Sequence, residues 1–170
     1  KLYSRFGFDI DTIVNYITEN VGSEKNYEFL NIIGLHFHLD GYSIKQRGVA
    51  AIECMTIAKI LREMLYPISF VDMGGGILIN YLKEHKQWEE FNHQLIQQTL
   101  LQEEHLTFKG DGLGYLKIDD KIYGKLNTYP YFNEVNSANF LKKVLQFEHP
   151  ILKKSVADFA KELNIELRIE

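Results

Sequence analysis

The stretch Phe70-Val71-Asp72-Met73-Gly74-Gly75-Gly76 decides how the chain is read. Its apolar lead-in, residues 68–73, reads as a buried strand, and the glycines follow without a break. Glycine loses more backbone freedom on folding than any other residue, so a run of them is costly. It is tolerated where the backbone must turn sharply or approach another group closely. At the end of a buried strand, one reading is a tight strand-to-helix turn with no ligand. The other is an anion held by unhindered backbone N–H donors. The anion is the expectation carried forward.

Working outward, Pro67 closes a long amphipathic pattern. Val49, Ile52, Ile57, Ile60, Leu61 and Leu65 share a helix face, and Ser43 stands where an N-cap belongs. Before the Asp40-Gly41 turn, residues 29–38 (F-L-N-I-I-G-L-H-F-H) are apolar and rich in β-branched and aromatic types. That predicts a strand covered on both faces. Residues 2–8 predict a strand running out at Gly7, and Asp9 or Asp11 caps a helix over 12–20. Beyond the glycines, Trp88, Phe91, Leu95, Ile96 and Leu100 mark a helix. Helices over 138–146 and 155–163 and a last strand over 165–170 complete the chain.

Strand and helix therefore alternate, the pattern of parallel β/α units. The alternation is interrupted over residues 106–132, where segments 115–118 and 121–125 flank Asp119-Asp120 as a β-hairpin would. Tyr123, Tyr129, Tyr131 and Phe132 make this insert aromatic, as suits a segment folded over something. The expectation is one domain carrying one insertion.

Composition narrows the function. The chain has 170 residues, 45% hydrophobic and 25% charged, ordinary for a globular domain with a real core. Its net charge is −4 with no run of Lys or Arg, so nothing marks a nucleic-acid or anionic-membrane surface. No apolar stretch approaches the roughly 20 residues that span a bilayer, and no signal-peptide pattern opens the chain. The single cysteine, Cys54, cannot form an internal disulfide, which fits a cytoplasmic setting. It lies in an apolar helical pattern and reads as a small buried thiol rather than a nucleophile.

In parallel α/β sheets and barrels, ligands bind at the carboxyl ends of strands. The residues at those ends are Arg5, His36, His38, Asp72 with its glycines, and Glu170. His36 and His38, two apart in a strand, share one face. They lack a third ligand at a diagnostic spacing, so no metal site is assigned. A histidine ring lying against a planar cofactor or substrate is the other reading. For His36, deeper in its strand, a hydrogen-bonded structural role is reasonable. Asp72 suits a site role and a paired structural role equally. His85, His93, His105 and His149 fall in polar contexts and are assigned to the surface.

Taken together, four blocks resemble successive signatures of one family. They are Ser4-Arg5-Phe6-Gly7, then Gly34-Leu35-His36-Phe37-His38 with Gly41 and Ser43 behind it, then Asp72-Met73-Gly74-Gly75-Gly76, then Glu166-Leu167-Arg168-Ile169-Glu170. The family is the pyridoxal-phosphate decarboxylases with an alanine-racemase-type barrel, which act on diaminopimelate, ornithine and arginine. The resemblance implies the later part of a (β/α)8 TIM-type barrel with an inserted hairpin segment. It implies pyridoxal 5'-phosphate as cofactor, a small amino-acid substrate and a homodimer in the full-length protein. Carried across, His38 would lie against the pyridine ring, and Gly74, Gly75 and Gly76 would present N–H groups to the phosphate. Ser43 would assist at the phosphate, although the loop Asp40-Gly41-Tyr42-Ser43 is one residue longer than the family's pattern. Glu170 would pair with the pyridine nitrogen, and Arg5 would be a basic group near the site.

The resemblance also marks what this chain does not show. The family's Schiff-base lysine lies upstream of its first block, and its C-terminal β-domain follows the final glutamate. The expectation is that the polypeptide as given has no decarboxylase activity, since covalent attachment of the cofactor needs that lysine. The insert is similar to that of relatives which decarboxylate siderophore precursors of citryl-diamine type. Two other classes compete: a methyltransferase binding S-adenosylmethionine at the glycine turn, and a non-catalytic pyridoxal-phosphate-binding protein. The first wants an acidic residue closing the next strand about 20 residues on, where this chain reads as helix.

Overall fold

The computed structural model describes residues 7–169. They divide into two compact units, one of residues 7–76 with 141–169 and one of residues 77–140. The unit set apart is thus longer than the predicted insert and contains it.

The first unit is built on a parallel sheet of β1 (Gly34–His38), β2 (Phe70–Gly74) and β5 (Glu166–Arg168), in the order β1-β2-β5. Helix α2 (Ile44–Glu63) links β1 to β2. It starts where the sequence says it should, because the Ser43 hydroxyl accepts the Gln46 N–H at 3.2 Å. Its buried residues Ala51, Ile52, Met55, Ala58 and Leu61 recur at helical spacing and lie against β1 and β2. Ile52, Met55 and Leu61 are fully buried, each contributing about 1.5–3 kcal/mol of transfer free energy. Helix α1 (Ile13–Asn20) packs on α2, and the Tyr66 hydroxyl donates to Val21 O at 2.7 Å to fasten the end of α1.

Helix α5 (Val156–Leu163) is capped by Ser155, which accepts from Asp158 N–H at 3.0 Å, and it buries Val156, Phe159 and Ala160. It packs on α2. Arg62, near the end of α2, binds the two chain segments that follow the helices. Its guanidinium donates to Ile68 O, Leu163 O and Asn164 O, fixing the entries to β2 and β5.

Among the described residues, helices cover one face of the sheet. Leu35, Val71 and Met73 point into the helices and are buried, and alternation puts Gly34, His36 and His38 of β1 on the other face. Residues 29–38 were expected to form a strand covered on both faces; the strand is shorter and its second face is polar. Phe29 is 78% exposed, because a turn in which Leu30 N–H bonds Tyr27 O keeps this segment out of the ladder.

The second unit holds α3 (His85–Leu101) and a hairpin of β3 (Tyr115–Ile118) and β4 (Lys121–Gly124), which packs on α3. A capping box between Glu84 and Gln87 starts α3. Asp119 takes up the tight turn with φ of 53°, a conformation aspartate tolerates better than most residues. Of the aromatic residues of the predicted insert, Tyr129, Tyr131 and Phe132 pack inside this unit, whereas Tyr123 is 49% exposed. Tyr131 packs on Tyr81 and Trp88, with ring centroids 5.4 and 5.7 Å apart. The Tyr129 hydroxyl donates to Ile77 O and accepts from Ile79 N–H. Helix α4 (Ser137–Leu145) contains the boundary between the units. Among the described residues no helix is long and apolar enough to cross a membrane.

Candidate functional site

The open face of the sheet is a ladder of three rungs. At the amino end, Gly34 pairs with Phe70 and Phe70 with Glu166. The Phe70 ring lies over Gly34, where an added Cβ would come within 2.3 Å of it. Arg168 in turn stacks on that ring at 3.8 Å and receives support from Glu166 at 2.8 Å. This hydrogen bond holds the Glu166 carboxyl below its ordinary value and raises the Arg168 guanidinium.

The middle rung runs His36, Asp72, Arg168. His36 Nδ1–H donates to Asp72 Oδ2 at 2.8 Å, so the two residues are paired across the ladder. Asp72 Oδ1 is buried and has no hydrogen-bond partner among the described residues.

The top rung, at the carboxyl ends of the strands, pairs His38 with Gly74. His38 is exposed, and its ring centroid lies 6.1 Å from that of His36. The His36 ring leans toward the glycine turn, so that a Cβ on Gly74 would meet its Cε1 at 2.4 Å. Gly75 has φ of +91° and passes so close to Leu39 O that a Cβ would stand 2.3 Å from it. Gly76 faces the Tyr42 ring at 3.0 Å by the same measure. The chain's own packing thus requires Gly74 and Gly75, which face backbone carbonyls, more strictly than Gly76, which faces a side chain.

Arg47, which the sequence reading passed over, sits behind this turn. It is 3% exposed, and its guanidinium donates to Gly74 O at 2.7 Å, Gly76 O at 2.8 Å and Gly41 O at 3.2 Å. Burial pushes its pKa below the ordinary value, with Tyr42 opposing the shift. No spacing marks it: a charged residue in a helical pattern is ordinarily solvated, and an arginine that is buried needs acceptors such as these carbonyls.

Of the predicted residues, the structure brings His38, Gly74, Gly75 and Gly76 together, with Ser43 following in the loop after β1. The Ser43 hydroxyl accepts the α2 cap bond. Arg5 and Glu170 lie outside the described residues. A cavity of about 750 Å³ wraps the outer edge of β1, lined by His36 and His38 together with Phe8, Ile13, Glu53 and Cys54. Burial raises the Cys54 thiol to about 11, with Glu53 adding to the shift. Among the described residues no cluster of three or more metal-ligating side chains occurs. His105, assigned to the surface from sequence, instead bonds the buried Thr99 hydroxyl at 2.9 Å.

No protein-family model matches the chain, and no solved structure matches it. The chain is similar to the uncharacterized protein y4yA of Sinorhizobium fredii (strain NBRC 101917 / NGR234), at 27% identity over 147 residues. The match covers 85% of this chain and 26% of that protein, so the chain spans about a quarter of the relative's length.

Proposed function

We propose that this chain is the phosphate-gripping part of a pyridoxal-phosphate-dependent decarboxylase acting on a basic or diamino acid. In this reading the three parallel strands belong to a (β/α)8 barrel, and their polar face looks into it. The observation that carries the reading is the pairing of His38 with Gly74, on adjacent parallel strands, where those strands end. It sets an exposed imidazole beside a glycine turn at the strand ends, where ligands bind in such sheets.

The residues present fit the cofactor. Gly74 O is bonded to Arg47, so the trans-planar peptide aims Gly75 N–H away from that guanidinium. His38 has an exposed ring of the right kind to lie on a pyridine face. Bound pyridoxal phosphate supplies an electron sink for the pair released as the substrate carboxylate leaves as CO₂. The chain's own groups hold the phosphate and cover one ring face. Glu170, from the sequence resemblance alone, is the carboxylate expected at the pyridine nitrogen.

The whole protein is expected to be a homodimer and to work in the cytoplasm. The test is a titration of the full-length protein with pyridoxal 5'-phosphate. Binding produces the visible absorption of the protein-bound cofactor, and candidate basic and diamino acids are then screened for CO₂ release. A protein that takes up S-adenosylmethionine and no pyridoxal phosphate sinks the reading. Uptake of the cofactor with no CO₂ from any candidate leaves a carrier in place of an enzyme.

A further inference from the structure

We infer that Arg47 is the positioning residue of the anion grip, acting from behind the glycine turn without touching the ligand. The inference rests on the functional reading above and extends it to a residue no sequence signature pointed to. Two carbonyl oxygens of the turn, those of Gly74 and Gly76, converge on one buried guanidinium at 2.7 and 2.8 Å. A third, Gly41 O at 3.2 Å, comes from the loop that leaves β1. A peptide unit is planar and trans, so its C=O and N–H point in opposite directions. Each carbonyl drawn toward Arg47 therefore turns the following N–H away from it. Without such a partner, a glycine turn samples both orientations, since glycine tolerates either sign of φ. Arg47 selects one of them before any ligand arrives.

Three further facts fit this role. Gly75 carries the φ of +91° that reverses the chain, and its Cβ position is 3.0 Å from Arg47 Nη2, so the guanidinium is packed directly under the reversal. The side chain belongs to α2, whose cap and apolar face fix it to the sheet, and Arg47 itself is 3% exposed. Its planar fork is what allows one residue to reach three carbonyls; a lysine ammonium on a single stem does not reproduce that geometry. The buried positive charge also lowers the electrostatic cost of bringing a phosphate to the far side of the turn.

The experiment separates this role from a general loss of structure. Full-length protein and its Arg47→Lys and Arg47→Met variants are titrated with pyridoxal 5'-phosphate, with pyridoxal, and with inorganic phosphate as competitor. The wild type is expected to prefer the phosphorylated ligand and to yield it to inorganic phosphate. Arg47→Lys is expected to bind pyridoxal 5'-phosphate roughly tenfold more weakly and to bind pyridoxal as before. Equal weakening for both ligands, or no weakening for either, overturns the inference while leaving the functional reading intact. A wild type that binds neither phosphorylated ligand nor phosphate overturns both. For variants that do not fold, the amide resonances of the wild type decide. Inorganic phosphate should shift the Gly75 N–H signal, and an unmoved Gly75 signal in a phosphate-binding protein overturns the inference.

Discussion

His36 on β1 and Asp72 on β2 are register partners in a parallel ladder, and their side chains close a hydrogen bond of 2.8 Å across it. The bond joins a half-exposed imidazole, 46% accessible, to a carboxylate at 15%. It sits one rung below His38 and Gly74, so it holds in place the floor on which the candidate site stands. Removing either partner exposes the other to loss. We expect Asp72→Ala to destabilise the protein by about 1–2 kcal/mol. The coupling between Asp72→Ala and His36→Ala in a double-mutant cycle should be about 1 kcal/mol. Urea unfolding of the single and double variants measures it, and strict additivity would show that the contact carries no energy.

The glycines of the turn should not be equivalent. Gly75→Ala faces both a left-handed backbone and a fixed carbonyl 2.3 Å away, and is expected to cost more than about 3 kcal/mol. Gly76→Ala meets only the edge of the Tyr42 ring at 3.0 Å, which can swing aside. It should cost about 1 kcal/mol or less. Gly41→Ala is a control for strain without crowding, because its φ is +86° but its Cβ would meet nothing within 4 Å. About 1 kcal/mol is expected there. Melting temperature should be lowest for Gly75→Ala, with Gly41→Ala and Gly76→Ala both well above it and Gly76→Ala no lower than Gly41→Ala. A Gly75→Ala protein as stable as wild type contradicts the geometry of the turn.

Much of this layout was legible in the residues. Ser43 at an N-cap position, the apolar stripe through Ile52 and Leu61, and Pro67 as a stop were enough to place α2. The alternation of strand and helix was enough to expect parallel pairing. Two things were not legible. The length of β1 was overstated because Phe29 and Leu30 are apolar, and nothing local reveals that a turn at Tyr27 holds them out of the ladder. Arg47 was missed because a charged residue in a helical pattern is ordinarily solvated. Its burial follows from where the glycine turn lies in space, which spacing alone does not give. Tyr123, Tyr129, Tyr131 and Phe132 suggest an insert folded over something, and Tyr123 is instead exposed. In the structure Tyr129 and Tyr131 pack on Tyr81, and Tyr131 also on Trp88, within their own unit.

Cys54 gives a prediction in pH. Its thiol is raised from 9.0 to about 11, first by burial and then by Glu53. At pH 8 the thiolate fraction in the folded chain is therefore lower than in the unfolded chain by about a hundredfold. Because a higher-pKa thiolate is also the better nucleophile, alkylation by iodoacetamide should be slower in the native protein by about tenfold or more, and should recover in denaturant. The linked effect on stability has a definite sign. The folded state holds the thiol proton to higher pH than the unfolded state. The contribution is therefore fully present below about 9 and is lost as pH rises toward about 11. Chemical denaturation between pH 8 and 10 should show this loss, and Cys54→Ser should remove that component. Rapid native alkylation at pH 8 would contradict the burial of the thiol.

The contact between Gly48 and Phe147 sets helix propensity against packing. Gly48 lies in the interior of α2, where replacement by alanine normally stabilises a helix by about 1 kcal/mol. Here the Phe147 ring presses on the position, and a Cβ would meet its Cδ1 at 2.2 Å and its Cβ at 2.8 Å. The second contact is close to the Phe147 backbone, so rotating the ring alone does not relieve it. Gly48→Ala is therefore expected to destabilise the protein by about 1–3 kcal/mol, against the helix scale. Phe147→Leu alone should cost about 1 kcal/mol or somewhat more through lost contact. Combined with Gly48→Ala it should lose less than the sum of the two, because the smaller side chain admits the new methyl group. Thermal unfolding of the two single variants and the pair tests this. A stabilised Gly48→Ala would mean that α2 and the segment carrying Phe147 are not in contact in solution.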